Sequence, residues 1–433
     1  MAKKISQKFL ACLFLIGLIF FGSANRSSIA SASPEKKTAA NNYIEGEVIA
    51  EIQPDTDISQ IIAGKNISAS PIENGSGQNF YLLRSLDEKS TKKIIKAFQK
   101  NTAIISLQPN FKYKTLARVS NDVYRPRQWP LFDTTETPGG VSAFSAWDTE
   151  SQGQRNVAIA IIDTGVSLDH QDLKDNLTKG IAKGINIDSP RKKPLDSDGH
   201  GSFLAGIIAA KTNNKKGIAG SSFFNHLRVM ALKFDFTTAE AITAINYAKA
   251  KNVPIINASW GSYGAEGLDQ ALKDAIASFP GIFVTASGNG DPKTNKGFNH
   301  DGGNPNEKMY PCDFELANIL CVGASDKNGN LADYSDYGNL SVDVVAPGGT
   351  DNDPITGLSN RKNKYISAEG SSLSTAFASA EAGLIISKYP NLSAAQVITI
   401  IKSSVDPEPS LQGKVLSGGK INYQKALALA GGY

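Results

Sequence analysis

The sequence predicts an α/β protein: a parallel sheet with helices on both faces from about residue 139 onward, preceded by a small α+β unit. Three observations predict it. Short, largely apolar segments recur at V-A-I-A-I-I-D (157–163), L-R-V-M-A-L-K (227–233), V-P-I-I-N-A-S (253–259) and G-I-F-V-T-A-S (281–287). Helical patterns separate them, at Ala239–Lys251 and Leu268–Phe279. Strands that are apolar throughout belong to sheets buried on both faces, and parallel strands need connections of helix length. Before them, residues 43–118 carry a different order: I-E-G-E-V-I-A-E-I, then F-Y-L-L-R, a helix over Ser90–Lys100 with Ile94, Ile95 and Phe98 on one face, and A-I-I-S-L-Q-P-N-F-K-Y. That is a small α+β domain.

The chain begins with Lys3, Lys4 and Lys8, the apolar run Phe9–Phe21 and the small residues Ala30-Ser31-Ala32. This order is that of a secretory signal peptide over residues 1–32. A Ser/Ala/Lys/Asn-rich lead-in covers 33–42, and V-S-N-D-V-Y-R-P-R-Q-W-P (119–130), without periodicity, reads as a linker. No later segment approaches the roughly 20 apolar residues of a membrane helix, so no span is expected once the signal is removed. With 433 residues, 41% hydrophobic and 20% charged, the chain can bury a large core. A net charge of +4, without a basic run interleaved with aromatics, excludes nucleic acid as a partner. Cys312 and Cys321 enclose no histidine or further cysteine; in an exported protein they read first as a disulfide, with two buried thiols as the alternative.

In a parallel sheet, ligands bind beyond the carboxyl ends of the strands, so the polar residues there are the ones to weigh. Asp163 ends the first strand in I-A-I-I-D-T-G-V; it is either a turn cap or a site carboxylate. The same D-T-G matches aspartic proteases, but their chemistry needs a second carboxylate motif, which does not follow. His200, one of four histidines, lies between Gly199 and Gly201 in D-S-D-G-H-G-S-F-L-A-G, ahead of an apolar helix. Flanking glycines let an imidazole at a helix start approach a neighbouring carboxylate that fixes its tautomer. Asn289 follows a strand in V-T-A-S-G-N-G, where it is either a turn residue or an amide donor to a developing oxyanion. G-S-S-L-S-T-A (370–376) opens another small-residue helix and offers three serines.

Taken in chain order, D-T-G-V-S-L-D-H-Q-D-L, D-G-H-G-S-F-L-A-G, Asn289 and G-S-S-L-S-T-A resemble the subtilisin-type serine proteases, over about residues 125–428. The resemblance implies a subtilisin-like sheet and an Asp163, His200, Ser372 triad with Asn289 at the oxyanion. It implies a substrate cleft lined by Ser259, Trp260 and Gly261 and by Ala286, Ser287 and Gly288. It also implies an inhibitory propeptide over 33–120, cut from the peptidase domain (121–433) between Tyr113 and Asn121, with Gln108–Tyr113 leading into the cleft.

The expected function is a secreted, monomeric serine endopeptidase made as a self-processing zymogen, acting on protein or peptide substrates. No cofactor is required for the chemistry. Structural Ca²⁺ occurs in the family, but no oxygen-ligand loop is identifiable here and no metal ligand is assigned. Where the family has a second histidine after the catalytic one, Phe203 stands; where it has Pro and His after the serine motif, Ala376 and Phe377 stand. These departures raise the alternative of a catalytically impaired peptide-binding module. Within the enzyme class, a dedicated processing protease is the alternative to a broad degrader.

Overall fold

The computed structural model describes residues 43–72, 79–87, 90–112, 118–151, 154–180, 184–264 and 269–433. The signal peptide, the lead-in, Leu268 and Tyr113–Ala117 of the expected maturation segment lie outside them. The chain divides into two units after residue 116.

The first unit runs β1 (Tyr43–Ile52), α1 (Ile58–Ile62), β2 (Ile67–Pro71), β3 (Phe80–Ser85), α2 (Thr91–Phe98) and β4 (Ile104–Phe111). Its antiparallel sheet has the order β2-β3-β1-β4. Ile94 and Phe98 of α2 are buried with Val48, Ala50, Ile52 and Leu83, while Ile95 is half-buried at the margin. The short α1 and the edge strand β2 had no sequence signal, because I-S-A-S-P is too short and polar to show a strand period.

The second unit runs α3 (Ala143–Trp147), β5 (Val157–Asp163), β6 (Ile185–Asn186), α4 (His200–Ala209), β7 (Leu227–Lys233), α5 (Thr238–Ala250), β8 (Ile255–Ala258), β9 (Ser262–Tyr263), α6 (Gln270–Ala277) and β10 (Ile282–Ala286). It continues through β11 (Met309–Tyr310), β12 (Ile319–Ser325), β13 (Val344–Pro347), β14 (Ile355–Leu358), β15 (Tyr365–Ala368), α7 (Ser371–Lys388), α8 (Ala394–Ser403), β16 (Asp406–Pro407), β17 (Gly419–Lys420) and α9 (Tyr423–Ala430). The main sheet has the order β16-β17-β13-β12-β10-β8-β5-β7-β6. Its strands are parallel except β16.

Side chains alternate across this sheet, and both sides are apolar. From β5, Ile159 and Ile161 join the core containing residues of α4, α7, α8 and α9, whereas Ala160 and Ile162 join the core containing those of α5 and α6. The expected α/β architecture with helices on both faces is therefore present, and both β5 and β7 match their apolar runs residue for residue.

Residues 119–130 are not a free linker. Asp122 accepts the backbone N–H groups of Asn213 (2.8 Å) and Asn214 (3.0 Å), Gln128 bonds both ways with Ala219 (2.8 Å each), and Trp129 and Pro130 are buried. Pairing with a distant loop leaves no periodic trace, so the stretch looked unstructured. Among the described residues no helix is long and apolar enough to cross a membrane.

One buried acid sets a pH limit on this fold. Glu381 lies within α7, and burial pushes its carboxyl up to about 8, only partly offset by Lys420 and the Asn422 backbone N–H. A carboxyl whose folded pKa is raised favours folding while it is protonated, so this contribution is complete below pH ~4.5 and is lost as pH rises through about 8. Glu381→Gln is expected to gain stability relative to the parent by up to about 1.4 kcal/mol per pH unit across that window. Urea denaturation at pH 5 and pH 8 measures the difference.

Candidate active site

Asp163 is the last residue of β5, and its side chain has no exposed surface. One carboxylate oxygen accepts the Thr164 backbone N–H at 2.8 Å. His200 opens α4 and brings Nδ1 to 2.8 and 3.0 Å from the two Asp163 oxygens. That approach depends on Gly201: a Cβ there would lie 2.2 Å from the Gly165 carbonyl oxygen and 3.1 Å from Asp163 Oδ1. Asp196, which sequence reasoning did not single out, holds the turn. It accepts from the Thr164 hydroxyl (3.0 Å), from the N–H groups of Asp198 and Gly199 (2.9 Å each), and from both the N–H (3.0 Å) and the hydroxyl (2.5 Å) of Ser202. Its signal was present in D-S-D-G-H, an Asp just ahead of a helix start.

Burial works against a charged imidazole at His200. The Asp163 carboxylate outweighs it, with Asp198 and Asp196 adding to the attraction, and the pKa of the ring is held above its ordinary value. Nδ1 faces the carboxylate as a donor, which leaves Nε2 as the basic nitrogen of the neutral ring.

The serine motif opens α7. Gly370 has φ +141°, a conformation reserved to glycine, and its N–H meets both the Gly348 carbonyl and the Tyr334 hydroxyl at 3.0 Å. Ser371 donates its backbone N–H (2.9 Å) and its hydroxyl (2.8 Å) to Asn289 Oδ1. Because a backbone N–H can only donate, the amide oxygen of Asn289 must face Ser371, and its NH₂ is left to donate elsewhere. Ser371 thus orients the amide of Asn289.

Ser372 donates its hydroxyl to the Ser259 carbonyl at 3.2 Å, and its own carbonyl accepts the Ser259 hydroxyl at 3.0 Å. Beneath it, Ser379 bonds Asn257 and Asn257 bonds Ser259, each at 3.0 Å. A buried polar chain thus ties the end of β8 to the start of α7.

The expected cleft residues divide. Trp260 turns its indole inward, donating to the Ile162 carbonyl at 2.8 Å and packing on Phe234 at 5.1 Å between centroids. Gly261 is exposed, and a Cβ there would lie 2.3 Å from the Tyr310 carbonyl oxygen. Ala286 and Ser287 are buried, and the Ser287 hydroxyl points to the Asp336 carbonyl at 3.2 Å. Gly288 turns the chain with φ +118° into Asn289.

The departures from the family pattern lie in the core. Phe203 is buried, and its ring occupies space that a Cβ on Gly357 would enter at 2.6 Å. Ala376 and Phe377 are buried in the same core. Cys312 and Cys321 form a disulfide with Cα atoms 5.2 Å apart.

Two clusters of possible metal-ligating side chains occur among the described residues. The cluster His300, Cys312 and Asp313 offers a disulfide sulfur and an imidazole, and in the cluster Asp188, Asp235 and Glu240 the Glu240 carboxylate accepts the Asp235 N–H. The buried carboxylates Asp122 and Asp172 are satisfied by protein donors, the latter by Asn214, Ile218 and Tyr365 at 2.8–2.9 Å.

A parallel sheet covered by helices on both faces, with Asp163 at a strand end meeting His200 at the start of α4, and Asn289 meeting Ser371 at the start of α7, is the arrangement of a subtilase. The model of the Subtilase family matches residues 154–421, and the chain belongs to that family and is a serine-type endopeptidase acting on protein or peptide substrates. It is 31% identical to Subtilisin DY of Bacillus licheniformis over 62% of this chain and 90% of that protein. It is also 31% identical to Thermitase of Thermoactinomyces vulgaris over 70% of this chain and 99% of that protein. Among solved structures, a protease from Pseudoalteromonas arctica has a similar fold, with a TM-score of 0.60 and 22% identity over 72% of this chain and 100% of that one.

The raised pKa of His200 fixes a pH dependence. On the reading of His200 as the general base, the ring must be neutral to accept a proton, so the acid limb of kcat/KM is expected to have its midpoint above 6.5, rising with pH. Asp163→Asn should move that midpoint down and lower kcat by roughly 10⁴. A pH–rate profile of both enzymes on a peptide substrate measures it.

Proposed function

We propose that the protein is an exported endopeptidase, made as a zymogen, in which Ser372 is the nucleophile. His200 Nε2 takes the proton from Ser372 Oγ as it attacks the scissile carbonyl, then delivers it to the leaving amine; water reverses the sequence on the acyl-enzyme. Asp163 holds the imidazole in the required tautomer and stabilises the imidazolium. The Asn289 NH₂ and the Ser372 backbone N–H at the start of α7 receive the oxyanion. The single observation that carries this reading is the meeting of His200 Nδ1 with the buried Asp163 at 2.8 Å. In the resting site the Ser372 hydroxyl is held by the Ser259 carbonyl, so attack requires it to rotate toward the imidazole. Substrate in extended form pairs with the backbone at Ser259–Gly261 as an added strand. The core placement of Phe203, Ala376 and Phe377 favours an active enzyme over an impaired peptide-binding module.

Export is supported by Lys3, Lys4, Lys8 and the apolar run Phe9–Phe21, and by the disulfide. The unit at 43–112, with its own sheet and core, acts as the inhibitory propeptide and is released by self-cleavage to leave a monomeric enzyme. The cut falls upstream of Arg118. From there on the chain is tied down: the Arg118 N–H donates to Asp148 at 2.9 Å, its guanidinium reaches the carbonyls of Trp147 (3.3 Å) and Glu150 (3.2 Å), and Asn121 accepts the Lys215 N–H at 2.8 Å. A scissile segment must be free to extend, and Arg118–Asp122 is not.

Ser372→Ala is expected to accumulate as full-length precursor that a fluorophosphonate probe fails to label, whereas the parent chain matures and labels. Normal maturation of the variant would assign the cut to another protease. Failure of the parent to label would overturn Ser372 as nucleophile.

A further inference from the structure

We propose that Tyr263, backed by Asp336, is a positioning residue that sets the Asn289 amide at the distance the oxyanion requires. The proposal rests on the reading of Asn289 as an oxyanion donor. The Tyr263 hydroxyl accepts the backbone N–H of Asn289 at 3.0 Å and of Gly290 at 3.1 Å, and donates its proton to Asp336 Oδ2 at 2.6 Å. One donor and two acceptor sites are all that a phenol offers, and all are used. The loop rests directly on this pair: a Cβ at Gly288 would lie 2.2 Å from Asp336 Oδ2 and 2.3 Å from the Tyr263 oxygen.

Asp336 is fixed in turn. Its Oδ1 accepts the Phe298 N–H at 2.7 Å, its N–H reaches the Gly288 carbonyl at 3.3 Å, and its carbonyl accepts the Ser287 hydroxyl at 3.2 Å. Behind it, His300 faces Asp336 Oδ2 at 3.5 Å and Asp313 at 3.0 Å. Burial opposes charge on this imidazole, and the two carboxylates prevail, lifting its pKa to about 9. The Tyr263 proton is directed at Asp336 Oδ2, so both lone pairs of the hydroxyl stay with the Asn289 loop. Ser371 fixes the Asn289 side chain from one side, and Tyr263 fixes its backbone from the other.

The test is a kinetic cycle on the matured enzyme with a peptide substrate, using Tyr263→Phe, Asn289→Ala and the double variant. A misplaced oxyanion donor weakens the transition state and not the ground state. Tyr263→Phe is therefore expected to lower kcat about tenfold with KM within about twofold, and to cost nothing further once Asn289 is alanine. Asp336→Asn provides a second route. Oδ1 must still accept from Phe298, so the new NH₂ faces Tyr263 and competes with the two N–H groups for its lone pairs; the same kcat-selective loss is expected. An equal loss from Tyr263→Phe in the Asn289→Ala background, or a loss carried by KM, overturns the proposal while leaving Asn289 in its role. An Asn289→Ala enzyme with unchanged kcat overturns the role of Asn289 itself and the proposal with it.

Discussion

A carboxylate with no exposed surface costs several kcal/mol to bury unless it is met by donors of good geometry, and Asp163 at the end of β5 is such a group. The meeting of Asp163 with His200 is the interaction on which the rest of the site is arranged. It requires the first turn of α4 to lie on the turn that follows β5, closer than any side chain permits, and Gly201 supplies that closeness. It also requires the turn before α4 to stay fixed while its N–H groups point inward. Asp196 collects those N–H groups on one carboxylate and binds Thr164 with them, so that the strand end and the helix start move as one body.

The serine turn obeys the same logic with a neutral network. α7 is buried over nearly its whole length, so every hydroxyl on it needs an internal partner. Ser374 finds the Ala346 carbonyl at 3.0 Å, Thr375 the Ser371 carbonyl at 2.9 Å, and Ser379 reaches Asn257 at 3.0 Å. Small residues let the helix pass close to the strands, and their hydroxyls then bind it to the ends of those strands. Close packing and presentation of Ser372 are one arrangement seen from two sides.

Much of this was legible in the sequence. β5 and β7 could be read to the residue because a strand buried on both faces is a largely apolar run, here closed by Asp163 and by Lys233. Asp163 stood out because it ends such a strand, His200 and Asn289 because each lies between two glycines, and Ser372 because its small-residue turn opens a long helix. Other parts could not be read. Tyr263 and Asp336 are 73 positions apart, and neither carries a local pattern that announces the other. Tyr334 is equally silent, although its hydroxyl accepts the Gly370 N–H and donates to the Gly349 carbonyl at 3.0 Å each. Local sequence records what a residue needs from its own turn; it does not record which distant hydroxyl will satisfy that turn's backbone.

This difference explains why the chain tolerates its departures from the family pattern. Phe203 follows His200 by almost one helical turn, yet its ring lies in the core against Gly357, where the missing side chain makes the room it needs. Ala376 and Phe377 are likewise buried, and the Phe377 carbonyl accepts the Tyr423 hydroxyl at 2.8 Å. Volume in a core can be exchanged between neighbours at modest cost, provided the sum is kept. The turns have no such freedom. A Cβ at Gly201, Gly261 or Gly288 would lie 2.2–2.3 Å from an oxygen, two of them backbone carbonyls, and no neighbouring substitution can remove a backbone atom. The site is therefore held by the backbone of its turns and by the few polar groups that bind them, and the apolar residues beneath are free to vary around that frame.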